Sequence, residues 1–268
     1  MKFLKKLDHI YSARTINNFA QLKNSYNNVQ TLCADPFIGI IDNVLDENET
    51  NYYIDFFQGS QRNGYSIEAM IDSELTGNYI NANRQQRKNY NINHKDTVDT
   101  IIRNRISKIC CIPEKHCEKT ILGKYIAGEK LEEHHDAVNF LPDSNLFSFL
   151  LSGGQRIMTA IAYLNDTQSG GETYFPDQQI TITPKKGRVL LFHNVGSNAN
   201  IPHPRSSHKS LLLDKGEKYI ATFWFRISTI DWNLYDAVSN YDLTRRKELY
   251  QDLCNCLHNS KQTIEFID

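Results

Sequence analysis

His134 and Asp136 stand two apart, with His208 far downstream and Lys218 ten positions beyond it. In an extended strand, residues i and i+2 share a face. His134 and Asp136 can therefore reach one metal ion while His135 points away. A second imidazole from another strand would complete a face of two His and one carboxylate. Such a face leaves coordination positions open and is diagnostic of non-haem Fe(II) oxygen chemistry. The chain offers His193, His203 and His208 for that place. His203 sits in a loop between Pro202 and Pro204, and His193 ends the apolar run VLLF, where a core or edge role suits it. His208 is favoured, because it opens the strand expected to lead to Lys218. A 2-oxo acid could fill two open positions through its carboxylate and keto oxygen, and dioxygen the last. Imidazoles bind metal only when neutral, so affinity is expected to fall as pH drops below their pKa.

In EKYIATFWFR, alternation puts Lys218, Ile220, Thr222 and Trp224 on one face and Tyr219, Ala221, Phe223 and Phe225 on the other. A lysine on an apolar strand face is costly to bury unless paired. The far carboxylate of a dicarboxylic co-substrate would pair it through a charge-assisted hydrogen bond; a lysine snorkelling to water from a strand end is the plainer reading.

These residues need strands to carry them. From about residue 119 the apolar period is two, in KTILGKYIA, LEEHHDAV, IMTAIAYLND, QQITIT, RVLLFH, SLLLD and EKYIATFWFRI, with Gly- and Pro-rich turns between. Many short strands at this spacing indicate a sandwich or barrel, and a jelly roll best leaves a pocket at one end. Upstream, 35–57 reads as a short strand and a helix capped by Asp46 or Asn48, and 96–111 as a helix with Val98, Ile101, Ile102 and Ile106 at helical spacing. Residues 1–35 read as polar helix and loop, 59–93 as a long loop, and DLTRRKELYQDLCNCLH as a C-terminal helix. The fold class expected is α+β, mainly β. A jelly-roll core at about 119–227 lies in a domain over 36–230, between a polar segment 1–35 and a helical extension 231–268.

Composition sets the bounds. The chain has 268 residues, 40% hydrophobic and 23% charged, and a net charge of −1. No basic field draws in nucleic acid. No run approaches the roughly 18 apolar residues of a membrane span. MKFLKK is followed by a polar stretch rather than an apolar one, so a cytoplasmic location without a signal peptide or membrane contact is expected. Cys110, Cys111, His116 and Cys117 form a cluster whose spacing lacks two separated ligand pairs, which favours free thiols over zinc.

Five blocks, YIAGEKLEEHHD, SGGQRIMTAIAYLND, GGETYFP, PKKGRVLLFHN and HKSLLLDKGEKYIATFW, together resemble the prolyl 4-hydroxylase family of Fe(II)/2-oxoglutarate dioxygenases. The resemblance runs in order over roughly 36–230. It implies His134, Asp136 and His208 as iron ligands and Lys218 as partner of the distal carboxylate of 2-oxoglutarate. It implies Tyr125, Tyr163 and Thr173 as lining of the co-substrate pocket, and Arg156 and Trp224 as substrate contacts. Arg156 and Tyr163 have opposite strand parity, so they share a face only if the strand begins after Arg156. The resemblance further implies O2 as co-substrate, ascorbate binding, and a proline-containing peptide or protein as partner. The chain departs from the family at Leu131, where Tyr is frequent, at Glu133, where Pro is common, at Leu211–Leu213, which replaces a Pro-Val, and at Arg84-Gln85-Gln86, which replaces Arg-Thr-Ser. The departures fall on the substrate side. They leave open a hydroxylase of another amino acid or small metabolite, or a jelly-roll binding module without activity.

Overall fold

The computed structural model describes residues 21–58, 68–69, 88–137, 153–199, 201–230, 232 and 266–267. In chain order the strands are β1 (Leu22–Lys23), β2 (Gln30–Ala34), β3 (Phe37–Ile41), β4 (Glu68–Ala69), β5 (Lys88–Asn91), β6 (Ile121–Ile126), β7 (Leu131–His134) and β8 (Arg156–Tyr163). They continue as β9 (Ser169–Gly170), β10 (Thr173–Phe175), β11 (Ile180–Ile182), β12 (Val189–His193), β13 (His208–Ser210), β14 (Leu213–Lys215), β15 (Glu217–Arg226) and β16 (Phe266–Ile267). Two α-helices are described, α1 (Glu47–Ile54) and α2 (Thr97–Cys110).

A large sheet runs β2-β3-β12-β8-β15-β6-β5-β4 and faces a smaller one, β11-β10-β13-β7. This is the expected jelly roll, and alternation along the strands builds it. Tyr125, Ile161, Tyr163, Leu190, Phe192 and Ile220 turn inward from the large sheet and bury against Phe175, Ile182 and Leu213. Their neighbours Leu122, Ala160, Ala162, Val189, Leu191, Tyr219, Ala221, Phe223 and Phe225 turn outward into a second core with Tyr53, Ile102, Ile106 and Cys110. The large sheet is thus apolar on both faces, one closing the pocket and one packing on helices. The parity read for Lys218 through Phe225 holds in both layers.

The helices begin where their caps dictate. The Asp46 carboxylate accepts from the Glu49 amide and the Glu49 carboxylate from the Asp46 amide, a reciprocal capping box. Asp96 accepts from the Asp99 amide at 2.8 Å, and α2 ends at Cys111 in the left-handed region. Tyr53 donates to Asp99 at 2.8 Å, and Asp99 pairs with Arg103 at 2.9 Å, both buried, which ties α1 to α2 behind the sheet.

Three expectations change. Within 21–35 the chain forms β1 and β2 rather than helix and loop, because Gln30–Ala34 pairs with β3 and extends the large sheet. The stretch 59–93 contains β4 and β5, and β5 is stitched to β6 from Lys88↔Lys124 to Asn91↔Ile121. Both were concealed because they are short and lie in largely polar stretches, and backbone pairing asks little of the side chains. His208 and Lys218 do not share a continuous segment: His208 is on β13 of the small sheet and Lys218 on β15 of the large one. Residues 1–20, Arg84-Gln85-Gln86, Cys254, Cys256 and the expected C-terminal helix lie outside the described residues.

Candidate metal centre

β7 and β13 pair antiparallel with His134 directly opposite His208, so the two imidazoles lie side by side, ring centroids 4.4 Å apart. Asp136 follows two residues after His134, where the strand has ended. One ligand atom from each of His134, Asp136 and His208 lies within 4.8 Å of the others, a group that could hold a metal. Between the strands, β7 uses three steps where β13 uses two, from His208↔His134 to Ser210↔Leu131. This bulge breaks the ladder beside the ligands, a place where bulges re-aim side chains.

The donor set fits a ferrous ion. His134 Nδ1 lies 2.8 Å from the Glu132 carbonyl and His208 Nδ1 3.2 Å from the Ser206 carbonyl. A carbonyl only accepts, so each Nδ1 carries the proton and each Nε2 lone pair is available. Those Nε2 atoms stand 3.6 and 3.8 Å from the Asp136 carboxylate oxygens. The gaps are too long for hydrogen bonds and suit three ligands aimed at a common atom. Burial holds His208 down to about 4, which keeps the imidazole neutral at physiological pH. Burial pushes the Asp136 carboxyl up, but the neighbouring His208 and His134 outweigh it and hold the group well below the usual carboxylate range.

Two residues that sequence reasoning missed hold Asp136. Thr159 donates its hydroxyl proton to Asp136 Oδ2 at 2.7 Å and accepts from Asn194 Nδ2 at 2.9 Å. All three are buried. The inward parity of Thr159, shared with Ile161 and Tyr163, was the available signal.

Lys218 is hydrogen-bonded to Ser210, two residues along β13 from His208. It is 1% exposed and donates to the Gly171 carbonyl at 2.6 Å and to Ser210 Oγ at 2.8 Å. Its ammonium lies 4.9 Å from the Tyr125 ring centroid and 5.9 Å from that of Tyr163, within cation–π range. Tyr163 donates to Thr173 Oγ1 at 2.7 Å. Snorkelling is excluded: the lysine is enclosed. Tyr125, Tyr163, Thr173 and Lys218 thus converge.

Arg156 and Trp224 meet as well, and the parity problem has a structural answer. β8 does begin at Arg156, but Phe225 pairs with Met158 while Arg226 pairs with Arg156, which leaves Ile157 as an extra residue. The bulge restores Arg156 to the face of Thr159 and Tyr163. Its guanidinium lies 3.5 Å from the Trp224 ring centroid and forks onto Glu118 at 2.6 and 2.8 Å. Arg226 shares Glu118 at 2.9 Å. Trp224 is paired across the sheet with Thr159, so this plate stands next to the metal face.

The rival ligands go elsewhere. His193 is buried with Nε2 2.9 Å from the Tyr26 hydroxyl, and His203 lies 3.1 Å from Asp35. His116 Nδ1 meets the Arg226 carbonyl at 3.0 Å, and Cys110, Cys111 and Cys117 are free thiols. Among the described residues the group of possible ligands that converges is His134, Asp136 and His208.

Residues 121–226 match the family model of the 2OG-Fe(II) oxygenase superfamily. The match spans His134, Asp136, His208 and Lys218. Among curated proteins it is 29% identical over 195 residues to prolyl 4-hydroxylase 2 of Arabidopsis thaliana, covering 63% of this chain and 62% of the relative. To prolyl 4-hydroxylase 5 of the same plant it is 28% identical over 219 residues, covering 74% and 71%. Among solved structures it resembles the viral collagen prolyl hydroxylase of Paramecium Bursaria Chlorella virus-1 in its 2OG complex. That likeness has a TM-score of 0.54 at 20% identity and covers 74% of this chain and 99% of the other, a likeness of fold. Among the described residues no helix is long and apolar enough to cross a membrane.

Proposed function

We propose that this chain hydroxylates prolyl residues in a peptide or protein, with His134, Asp136 and His208 as the iron ligands and Lys218 as the partner of the 2-oxoglutarate distal carboxylate. The observation that carries the reading is a largely buried three-donor metal face with an enclosed ammonium hydrogen-bonded to Ser210, two residues along β13 from His208. When bound, Fe(II) with 2-oxoglutarate and dioxygen supplies oxidative decarboxylation to succinate and carbon dioxide, coupled to hydroxylation. The protein supplies placement and a dry site. Tyr125, Tyr163 and Phe175 exclude water, and Thr173 and Lys218 fix the co-substrate. The Trp224 ring, with Arg156 on one face, offers an aromatic surface suited to a proline ring. The two plant relatives carry the name prolyl 4-hydroxylase, which supports this substrate class.

Substrate identity is the part the departures touch. Glu133 accepts from Ser207 at 2.9 Å and lies 3.8 Å from Lys209, so it has a local structural use in place of proline. Incubation of iron-loaded protein with 2-oxoglutarate and proline-rich peptides is expected to release succinate and add one oxygen to proline, seen by mass spectrometry. Oxygen appearing on another residue or on a small metabolite would move the substrate; no succinate release with any peptide would make the chain a binding module.

A further inference from the structure

Lys218 is one of several proton donors at the far end of the pocket. Ser210 lies on β13, two residues after His208, so the same short strand carries an iron ligand and a pocket wall on one face. Across the ladder Ser210 is paired with Thr173 of β10. Both hydroxyls are buried, at 7% and 4% exposure. Each already accepts a hydrogen bond, Ser210 from the Lys218 ammonium at 2.8 Å and Thr173 from the Tyr163 hydroxyl at 2.7 Å. An accepting hydroxyl still has its own proton to give. That of Ser210 has a 3.5 Å contact to the Leu211 carbonyl, at the limit of a hydrogen bond. Two hydroxyl protons are thereby held side by side next to a buried ammonium, a donor arrangement suited to both oxygens of a carboxylate.

We infer that Ser210 is a further co-substrate residue, donating to the distal carboxylate of 2-oxoglutarate beside Lys218 and thereby selecting a diacid over a 2-oxo monoacid. This rests on the function proposed above. Because Ser210 and His208 are fixed two residues apart on one strand, the distance from the metal face to the carboxylate cradle is set by the strand repeat. A hydrogen bond to a charged group is among the stronger ones, so the serine acts on affinity for the acid and not on the oxidation step.

The test is calorimetric titration of Mn(II)-loaded protein with 2-oxoglutarate and with 2-oxovalerate, which has the same carbon count and no distal carboxylate. Ser210→Ala is expected to weaken 2-oxoglutarate binding ~10-fold and to leave 2-oxovalerate binding as in the parent chain. Ser210→Thr, which keeps the hydroxyl, is expected to restore most of the affinity. Equal weakening of both acids would show that Ser210 only shapes the pocket, and unchanged 2-oxoglutarate affinity would show that it makes no contact; either overturns the inference. A parent chain that binds both acids equally would overturn the assignment of Lys218 itself, and this inference with it.

Discussion

Thr159 shows how much of the metal face depends on residues that are not ligands. Its hydroxyl fixes Asp136 and is itself fixed by Asn194. Loss of such an outer partner typically costs 10- to 100-fold in metal affinity. Thr159→Val is expected to lower Fe(II) affinity ~10-fold or more in anaerobic competition with a chelator, while Thr159→Ser stays near the parent. Equal affinity in the valine variant would leave Asp136 positioned by the backbone alone. Under the proposed function, Arg156 on the Trp224 ring would serve substrate docking. Arg156→Ala is expected to raise the KM for peptide several-fold while leaving peptide-independent 2-oxoglutarate turnover unchanged, measured as succinate release. The candidate ligands were legible because His134 and Asp136 keep the i, i+2 spacing of an extended chain, although the strand itself stops at His134. The inward parity of Thr159 was readable, but its partners, and the roles of Asn194, Glu118 and Ser210, come from contacts between segments, which spacing along one segment does not carry.

Strand irregularities decide where those side chains point. The bulge at Ile157 puts Arg156 on the inward face, against the parity that simple alternation gives. Parity therefore read Lys218 to Trp224 correctly on regular β15 and failed on β8 only at its bulged end. The β9–β14 pair closes the loop beside Lys218 and requires glycine. Gly170 has φ +78°, and an added Cβ would stand 2.2 Å from the Leu212 carbonyl oxygen and 2.7 Å from the Asp214 amide nitrogen. Backbone atoms cannot swing aside, so Gly170→Ala is expected to destabilise by about 2 kcal/mol or more. Gly128 has φ +91° and nothing within 4 Å of an added Cβ, so Gly128→Ala should cost only the left-handed strain, about 1 kcal/mol. Denaturant melts of the pair check the order; a Gly128 variant less stable than the Gly170 variant would contradict it. The first helix was legible from its cap, because capping is local chemistry, and the second from apolar residues at helical spacing; its cap at Asp96 came from the structure. The outlying strands β2, β4 and β5 were not, because their short sequences carry no clear period.

At the scale of the molecule, the large sheet separates two cores, and the outer one contains a buried titratable group packed against Tyr26 and Phe37. Burial, helped by nearby His203, holds His193 down to about 3, against an ordinary value near 6.5. As pH falls from about 6.5 toward 3, the unfolded chain takes up a proton there that the folded chain refuses. Stability is therefore lost on acidification across that window, with a slope of up to about 1.4 kcal/mol per pH unit. His193→Phe, set among Tyr26 and Phe37, is expected to lose less stability between pH 7 and pH 4 than the parent, read from urea melts at both pH values. An equal or larger loss would contradict a neutral, buried imidazole. The proposed chemistry requires three side chains from two adjoining segments to hold one ion. Anaerobic Fe(II) titration of the intact chain beside its His134→Ala variant tests this most directly. One tight site in the parent, lost in the variant with the melting temperature preserved, is the expected result; undiminished tight binding of one Fe(II) by the variant would contradict it.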